Sequence, residues 1–231
     1  MVSTIPHDIA IPTNGAVDVP WKEITRVVLN GEGTMHHGQN TALKFLRALE
    51  QAQTLGIPTE IINTVWQAMP HEYDTILQKC DRIVVRENYS AEELVAHGVE
   101  AEVEPDRCIY VDVPYKHVSE TYDILEGEYY FNRLRRTEYP RISIFQETWA
   151  SLINKLRNTN ILITGRHHEM YAGLLAGCRV VIESSRTHKN EGLFYTCGAE
   201  PPRDLHRALA GEYDDSYAKV RNYIDIHKVL S

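Results

Sequence analysis

The sequence predicts an α/β protein: a Rossmann-like parallel sheet flanked by helices. Short apolar or β-branched runs at 27–30, 60–65, 82–87, 161–164 and 179–183 alternate with stretches whose apolar residues recur at helical spacing. The connections are short, which suits parallel strands joined by right-handed crossovers. Polar or glycine-bearing loops follow several of these runs, at the carboxyl ends of the strands where open α/β folds bind ligands.

In chain order, residues 1–20 carry Pro6, Pro12, Gly15 and Pro20 and read as an irregular lead-in. The first strand follows at 27–30, then a helix with its stripe on Ala42, Phe45, Leu46, Leu49 and Ala52. Gly56 and Pro58 end that helix ahead of the second strand. A short helix holding Tyr73, Ile76, Leu77 and Cys80 leads into the strand at 82–87. Ser90 and Glu93 have the spacing of a capping box, and Gly98 supplies a stop, which predicts a helix over 91–97. Further strands are expected at 101–103 and 108–113.

Residues 114–140 break the alternation. They hold Tyr115, Tyr122, Tyr129, Tyr130 and Tyr139, and close on Arg133, Arg135 and Arg136. The stretch is either a connection between two halves or a loop over a site. Rings beside arginines stack on sugars or bases, although tyrosines packed along a linker are the plainer reading. An amphipathic helix follows on Ile142, Phe145, Trp149, Leu152 and Leu156, then the strand at 161–164, a helix ending at Gly177, and the strand at 179–183. The last helix carries Tyr213, Tyr217, Val220, Ile224 and Leu230 on one side. The expected division is an N-terminal half at 1–113, the Tyr/Arg-rich connection at 114–140, and a C-terminal half at 141–231.

Composition narrows the function classes. A 231-residue chain that is 43% hydrophobic buries a real core, as one large domain or two small ones. A net charge of −8 argues against a nucleic-acid backbone binder while leaving room for a local basic pocket. Cys80, Cys108, Cys178 and Cys197 lie far apart with no CxxC, which suggests neither a zinc ribbon nor a disulfide scaffold. The N-terminus has no basic start and no apolar core of signal-peptide length. No window approaches about 18 consecutive apolar residues, so no membrane span is expected, and the default is a soluble cytoplasmic protein.

Three loops carry candidate chemistry. In NGEGTMHHG, Gly31 and Gly33 let the backbone approach a ligand, successive N–H groups form an anion nest, and Thr34, His36 and His37 follow. It is neither GxGxxG nor a Walker loop. Glu32 is its carboxylate, a base toward a sugar hydroxyl or else a helix cap. In TGRHH, Gly165 turns the chain, Arg166 offers a fork for a carboxylate or phosphate, and His167 and His168 move protons near neutral pH. In SSRTHKNEG, Ser185, His188, Lys189 and Glu191 sit ahead of a helix expected near Gly192, a place suited to an anion. Zinc ligands on one helix favour i, i+4 spacing, and adjacent histidines point in different directions, so the sequence spacing supports no catalytic metal.

The order VVLNGEGTMHHG, DRIVVRENYSAEEL, GVEAEVEPD and ILITGRHHEMYAGLLAGCRVVIESSRTHKNEGL resembles the polysaccharide pyruvyl transferase family. The likeness covers roughly 25–113 and 145–197. Members resemble two-domain GT-B glycosyltransferases, so the resemblance implies a GT-B-like fold. Arg166 and His168 fall on the family's G-x-R-x-H motif, Gly177 on the glycine ending the helix, and Lys189, Glu191 and Gly192 on the later loop. Arg86, Glu87 and Ser90 match its VRE.YS segment. The resemblance implies transfer of a pyruvyl group from phosphoenolpyruvate, as co-substrate, to a sugar hydroxyl, without a metal or other cofactor. Arg166 and Lys189 would hold the donor, His168 would be general acid and Glu32 the base. Members are usually longer. About two strands remain for the C-terminal half here, so a reduced lobe, or one sheet shared by both halves, is expected. A nucleotide-sugar glycosyltransferase is the second reading. A non-catalytic anion-binding or assembly protein, self-associating through the linker or last helix, is the third.

Overall fold

A computed structural model describes residues 19–129 and 138–230. The prolines and glycine of the lead-in up to Gly15, and Tyr130, Arg133, Arg135 and Arg136 of the connection, lie outside the described residues. The chain divides into two compact units, Met1–Glu104 and Pro105–Ser231. The division falls nine residues ahead of the one expected at 113, because the stretch after Glu104 packs into the second unit's core through Cys108 and Ile109.

The first unit is a four-stranded parallel sheet in the order β1 (Val27–Glu32), β2 (Thr59–Thr64), β3 (Arg82–Val85), β4 (Glu102–Val103). Its main helix, α1 (Asn40–Thr54), buries Ala42, Leu46, Leu49 and Ala52, the stripe expected from sequence apart from half-buried Phe45. A 3-10 turn (His71–Tyr73) runs into α2 (Asp74–Leu77), and α3 spans Asn88–Ala96. The expected capping box is not used. Glu87 is the N-cap and accepts from Ser90 N, so α3 begins three residues earlier than the sequence suggests. Ser90 Oγ instead accepts from Trp66 N at 2.8 Å, and Glu93 accepts from Ala68 N. Both capping-box side chains therefore hold the segment that leaves β2.

The second unit has its own parallel sheet, β5 (Tyr122–Glu126), β6 (Thr159–Thr164), β7 (Arg179–Ile182). This corrects the expectation of too few strands for an independent sheet. The missing strand lies inside the Tyr/Arg-rich connection, where Tyr122, Ile124 and Leu125 pair with β6. Ile161 and Ile163 face one buried cluster and Leu162 faces another, so β6 is covered on both sides and reads as a continuous apolar run. Helix α4 (Trp149–Leu156) covers the Leu162 side. Helices α5 (His167–Ala176), α6 (Lys189–Thr196), α7 (Leu205–Leu209) and α8 (Asp214–Leu230) contribute to the other.

Two further sequence expectations give way in this unit. Residues 107–110 form a 3-10 turn rather than a strand, since Asp106 caps it through Cys108 N. The helix expected from Ile142 begins only at Trp149, because Thr148 Oγ1 accepts from Ser151 N and starts it there. Phe145 consequently stands 71% exposed off the expected stripe. At the C-terminus, Tyr217, Val220 and Ile224 are buried as expected, and Leu230 is exposed. All four cysteines are free, and burial pushes the Cys178 thiol up to about 12, leaving an inert apolar side chain. No helix among the described residues is long and apolar enough to cross a membrane.

Candidate functional site

The second unit builds its polar centre at the carboxyl end of β6. Thr164 closes the strand, and its Oγ1 accepts from Arg166 N at 2.9 Å, turning the chain into α5. Gly165 is squeezed between main chains: a Cβ there would stand 3.2 Å from Ser184 O and 3.5 Å from Tyr129 Cα. Helix α5 also lies close on the sheet, since a Cβ on Gly173 would meet Val180 Cγ2 at 2.8 Å. Gly177 ends the helix in the left-handed region at φ 84°, as the sequence predicts. Close backbone packing therefore fixes the turn that carries the residues at the helix start.

Beneath the turn lies a carboxylate with three donors. Glu169 is fully buried and accepts from Thr164 Oγ1 at 2.6 Å, Glu128 N at 2.8 Å and Ile144 N at 3.0 Å. Burial raises its pKa above the ordinary range, against the opposing pull of these three bonds. Gly127 makes room for it, because a Cβ there would fall 2.3 Å from Glu169 Oε2. The result is a knot tying the loop after β5, the 144 turn, the end of β6 and α5 together.

A second carboxylate faces the histidines. Asp106, 1% exposed in its side chain, places Oδ2 3.5 Å from His167 Nε2 and 3.4 Å from His168 Nε2. Its backbone N donates to Tyr171 Oη at 3.2 Å, and its Oδ1 accepts from Cys108 N at 2.9 Å. His167 is buried, with Nδ1 3.2 Å from Asn190 Oδ1, while Asn190 Nδ2 donates to Gly165 O at 3.3 Å. His168 is partly exposed. Arg166 sets its guanidinium over the exposed Phe145 ring at 5.0 Å. Three consecutive basic side chains thus sit at the start of a helix above a buried carboxylate.

The loop after β7 feeds the same centre. His188 is the N-cap position of α6, Lys189 opens it and is buried, and Ser185 lies half-buried before it. The helix starts at Lys189, three residues ahead of the start expected near Gly192. Glu191, its side chain mostly buried, places Oε1 2.8 Å from the guanidinium of exposed Arg203.

In the first unit the strand ends carry a different cluster. Arg86, 1% exposed, donates from Nε to Asn63 Oδ1 at 3.1 Å and brings Nη2 within 3.7 Å of Glu32 Oε2. Asn63 Nδ2 donates to Asn30 Oδ1 at 3.0 Å. Glu32 and Asn63 both hold positive φ, 47° and 52°, a strained conformation for non-glycine residues that clusters at sites. Gly31 is required for close approach, since a Cβ there would lie 2.3 Å from Thr64 Oγ1. Thr34 turns back to donate to Gly31 O at 2.6 Å, His36 is buried and His37 exposed with φ 51°, their Nδ1 atoms 3.0 Å apart. Gly33 lies between Glu32 and Thr34 in this loop.

The structure therefore gathers Arg166, His167, His168 and the start of α6 in one unit, and Glu32 with Arg86 in the other. Sequence reasoning missed Asp106, Glu169, Asn190 and Asn63. Glu169 and Asn190 sit inside motifs already singled out, directly after His168 and Lys189. Asp106 closes the GVEAEVEPD segment quoted above, but it lies about sixty residues upstream of its partners, and nothing local in the sequence ties it to them.

No known family model matches the chain, and no curated protein does. Among solved structures, an uncharacterised protein from Klebsiella pneumoniae is similar over 74% of this chain and 70% of its own, with 16% identity and a TM-score of 0.56. A glycosyltransferase, SnogD, from Streptomyces nogalater aligns over 88% of this chain and 95% of its own, at 11% identity and a TM-score of 0.30. The first likeness concerns the fold alone, and the second is too distant to carry an argument. The chain is a mixed α/β protein of parallel sheets flanked by helices, consistent with a Rossmann-like fold.

Proposed function

We propose that the protein is a transferase that moves the pyruvyl group of phosphoenolpyruvate to a sugar hydroxyl, with its donor-handling groups at the carboxyl end of β6. The observation that carries this reading is the buried Asp106 carboxylate set against His167 and His168 directly after Arg166. Phosphoenolpyruvate presents a carboxylate and a phosphate. The Arg166 fork suits one, and Lys189 with the N-terminus of α6 suits the other. His168, its Nε2 3.4 Å from Asp106 Oδ2, acts as general acid on the enol carbon. The sugar oxygen attacks the resulting oxocarbenium-like carbon, its proton passing to a base; the tetrahedral carbon then expels inorganic phosphate, and a second hydroxyl of the sugar closes the ketal. Within the first unit, Glu32 beside Arg86 is the candidate base for a hydroxyl. Motif order supports the same reading, since Arg166, His168, Lys189 and Arg86 fall on the motifs by which the sequence resembles the pyruvyl transferase family.

Thermal unfolding with phosphoenolpyruvate, UDP, GDP and CMP in parallel tests the donor class. A ligand at about a hundred times its dissociation constant stabilises by roughly 2.7 kcal/mol, a shift of several degrees. A shift from phosphoenolpyruvate alone is the expected result. A shift from a nucleoside diphosphate alone would replace this reading with glycosyl transfer, and silence from all four would remove the enzyme reading.

A further inference from the structure

Away from these loops, the first unit brings His71, Asp74 and His97 together, with one ligand atom from each lying within 4.8 Å of the others. His71 Nδ1 stands 3.0 Å from Asp74 Oδ2, and His97 Nδ1 is hydrogen-bonded to Asp74 Oδ1. The two imidazoles stack at 4.2 Å with planes 25° apart, so both Nδ1 atoms converge on one carboxylate. His97 is buried at the C-terminal cap of α3, held edge-on by Trp66 at 5.6 Å and by Gln78 Nε2, which donates to its carbonyl at 3.3 Å. His71 begins the 3-10 turn ahead of α2 and its side chain is 68% exposed.

We propose that His71 Nδ1, Asp74 and His97 Nδ1 bind a divalent transition-metal ion of the zinc class. Two imidazole nitrogens with one carboxylate oxygen suit zinc rather than magnesium or calcium, which take oxygen ligands. Three protein ligands leave a coordination position open, on the solvent side where His71 lies. His97 and Asp74 are set by packing, and rotation of exposed His71 closes the remaining distance to the ion. The sequence hid this site because His97 lies 23 residues beyond Asp74, and only the fold brings the C-cap of α3 to the first residue of α2. The site does not depend on the pyruvyl-transfer reading.

The test is zinc titration by calorimetry on the tag-free, chelator-stripped full chain, with cobalt absorption as a second readout. His71→Ala removes an exposed ligand and leaves the buried Asp74–His97 pair, so the variant folds; Asp74→Asn serves as an independent ligand loss. The expected result is one zinc per chain in the wild type. Binding should weaken by more than about a hundredfold in each variant, beyond what loss of an outer partner causes. No zinc binding by the wild type overturns the site. So does tight binding retained in either variant, which would point to other histidines such as His36 and His37.

Discussion

The two units place polar clusters at the same point of the same kind of sheet, yet they use arginine in opposite ways. In the first unit Arg86 is buried and turned inward on Asn63, with Glu32 at its outer edge. In the second unit the buried group is the acid: Asp106 sits underneath, and Arg166 and His168 stand above it at the start of α5. A buried guanidinium fixes the strand ends and lends charge to one displayed carboxylate. A buried carboxylate places its oxygens beneath the displayed basic side chains. In the proposed reaction the second arrangement grips the anionic donor.

The largest effects fall on the buried polar knots. Glu169→Ala strands three donors in the second unit and should destabilise it by about 3 kcal/mol, read by denaturant unfolding. Gly127→Ala should act similarly, by driving a methyl into the same carboxylate. In the first unit, Gly31→Ala forces Thr64 aside and should lose about 2 kcal/mol; equal tolerance of both glycine changes would erase the structural parallel. Smaller again, Thr148→Ala removes the N-cap of α4 and should lose about 1 kcal/mol.

Acidity sharpens the contrast. Burial raises the Glu169 pKa above that of the unfolded chain, near 4.5. Its contribution is therefore complete below that value and falls as pH rises through the folded pKa. Wild-type stability relative to Glu169→Gln should be greatest in mild acid and shrink toward neutrality. Asp74 runs the other way. Burial opposes ionisation there, but the bonds to His97 and His71 outweigh it and hold the carboxyl below 3.8. Its contribution is present above that value and lost as pH falls through the folded pKa, a loss that Asp74→Asn should abolish.

Periodicity made the strands at 27–30 and 161–164, the stripe of α1 and the αL stop at Gly177 legible in sequence. These are local patterns of side-chain period and glycine geometry. Motif order likewise located Arg166, His168 and the loop opening α6. What stayed hidden depends on distant partners. Tyr122–Glu126 reads as linker until β6 supplies its neighbour, and Asp106 reads as a turn cap until α5 brings His167 and His168 to it. Ser90 and Glu93 mislead for the same reason, since both side chains are claimed by the segment after β2 instead of by their own helix.

The claim that the displayed Arg166 of the second unit grips the anion is tested most directly by calorimetric titration of phosphoenolpyruvate. Wild type, Arg166→Ala and Glu32→Gln are compared. A charge-assisted pair contributes about 2 kcal/mol, so Arg166→Ala should weaken binding about thirtyfold while Glu32→Gln leaves it nearly unchanged. Undiminished affinity in Arg166→Ala, or a loss confined to Glu32→Gln, would contradict the assignment.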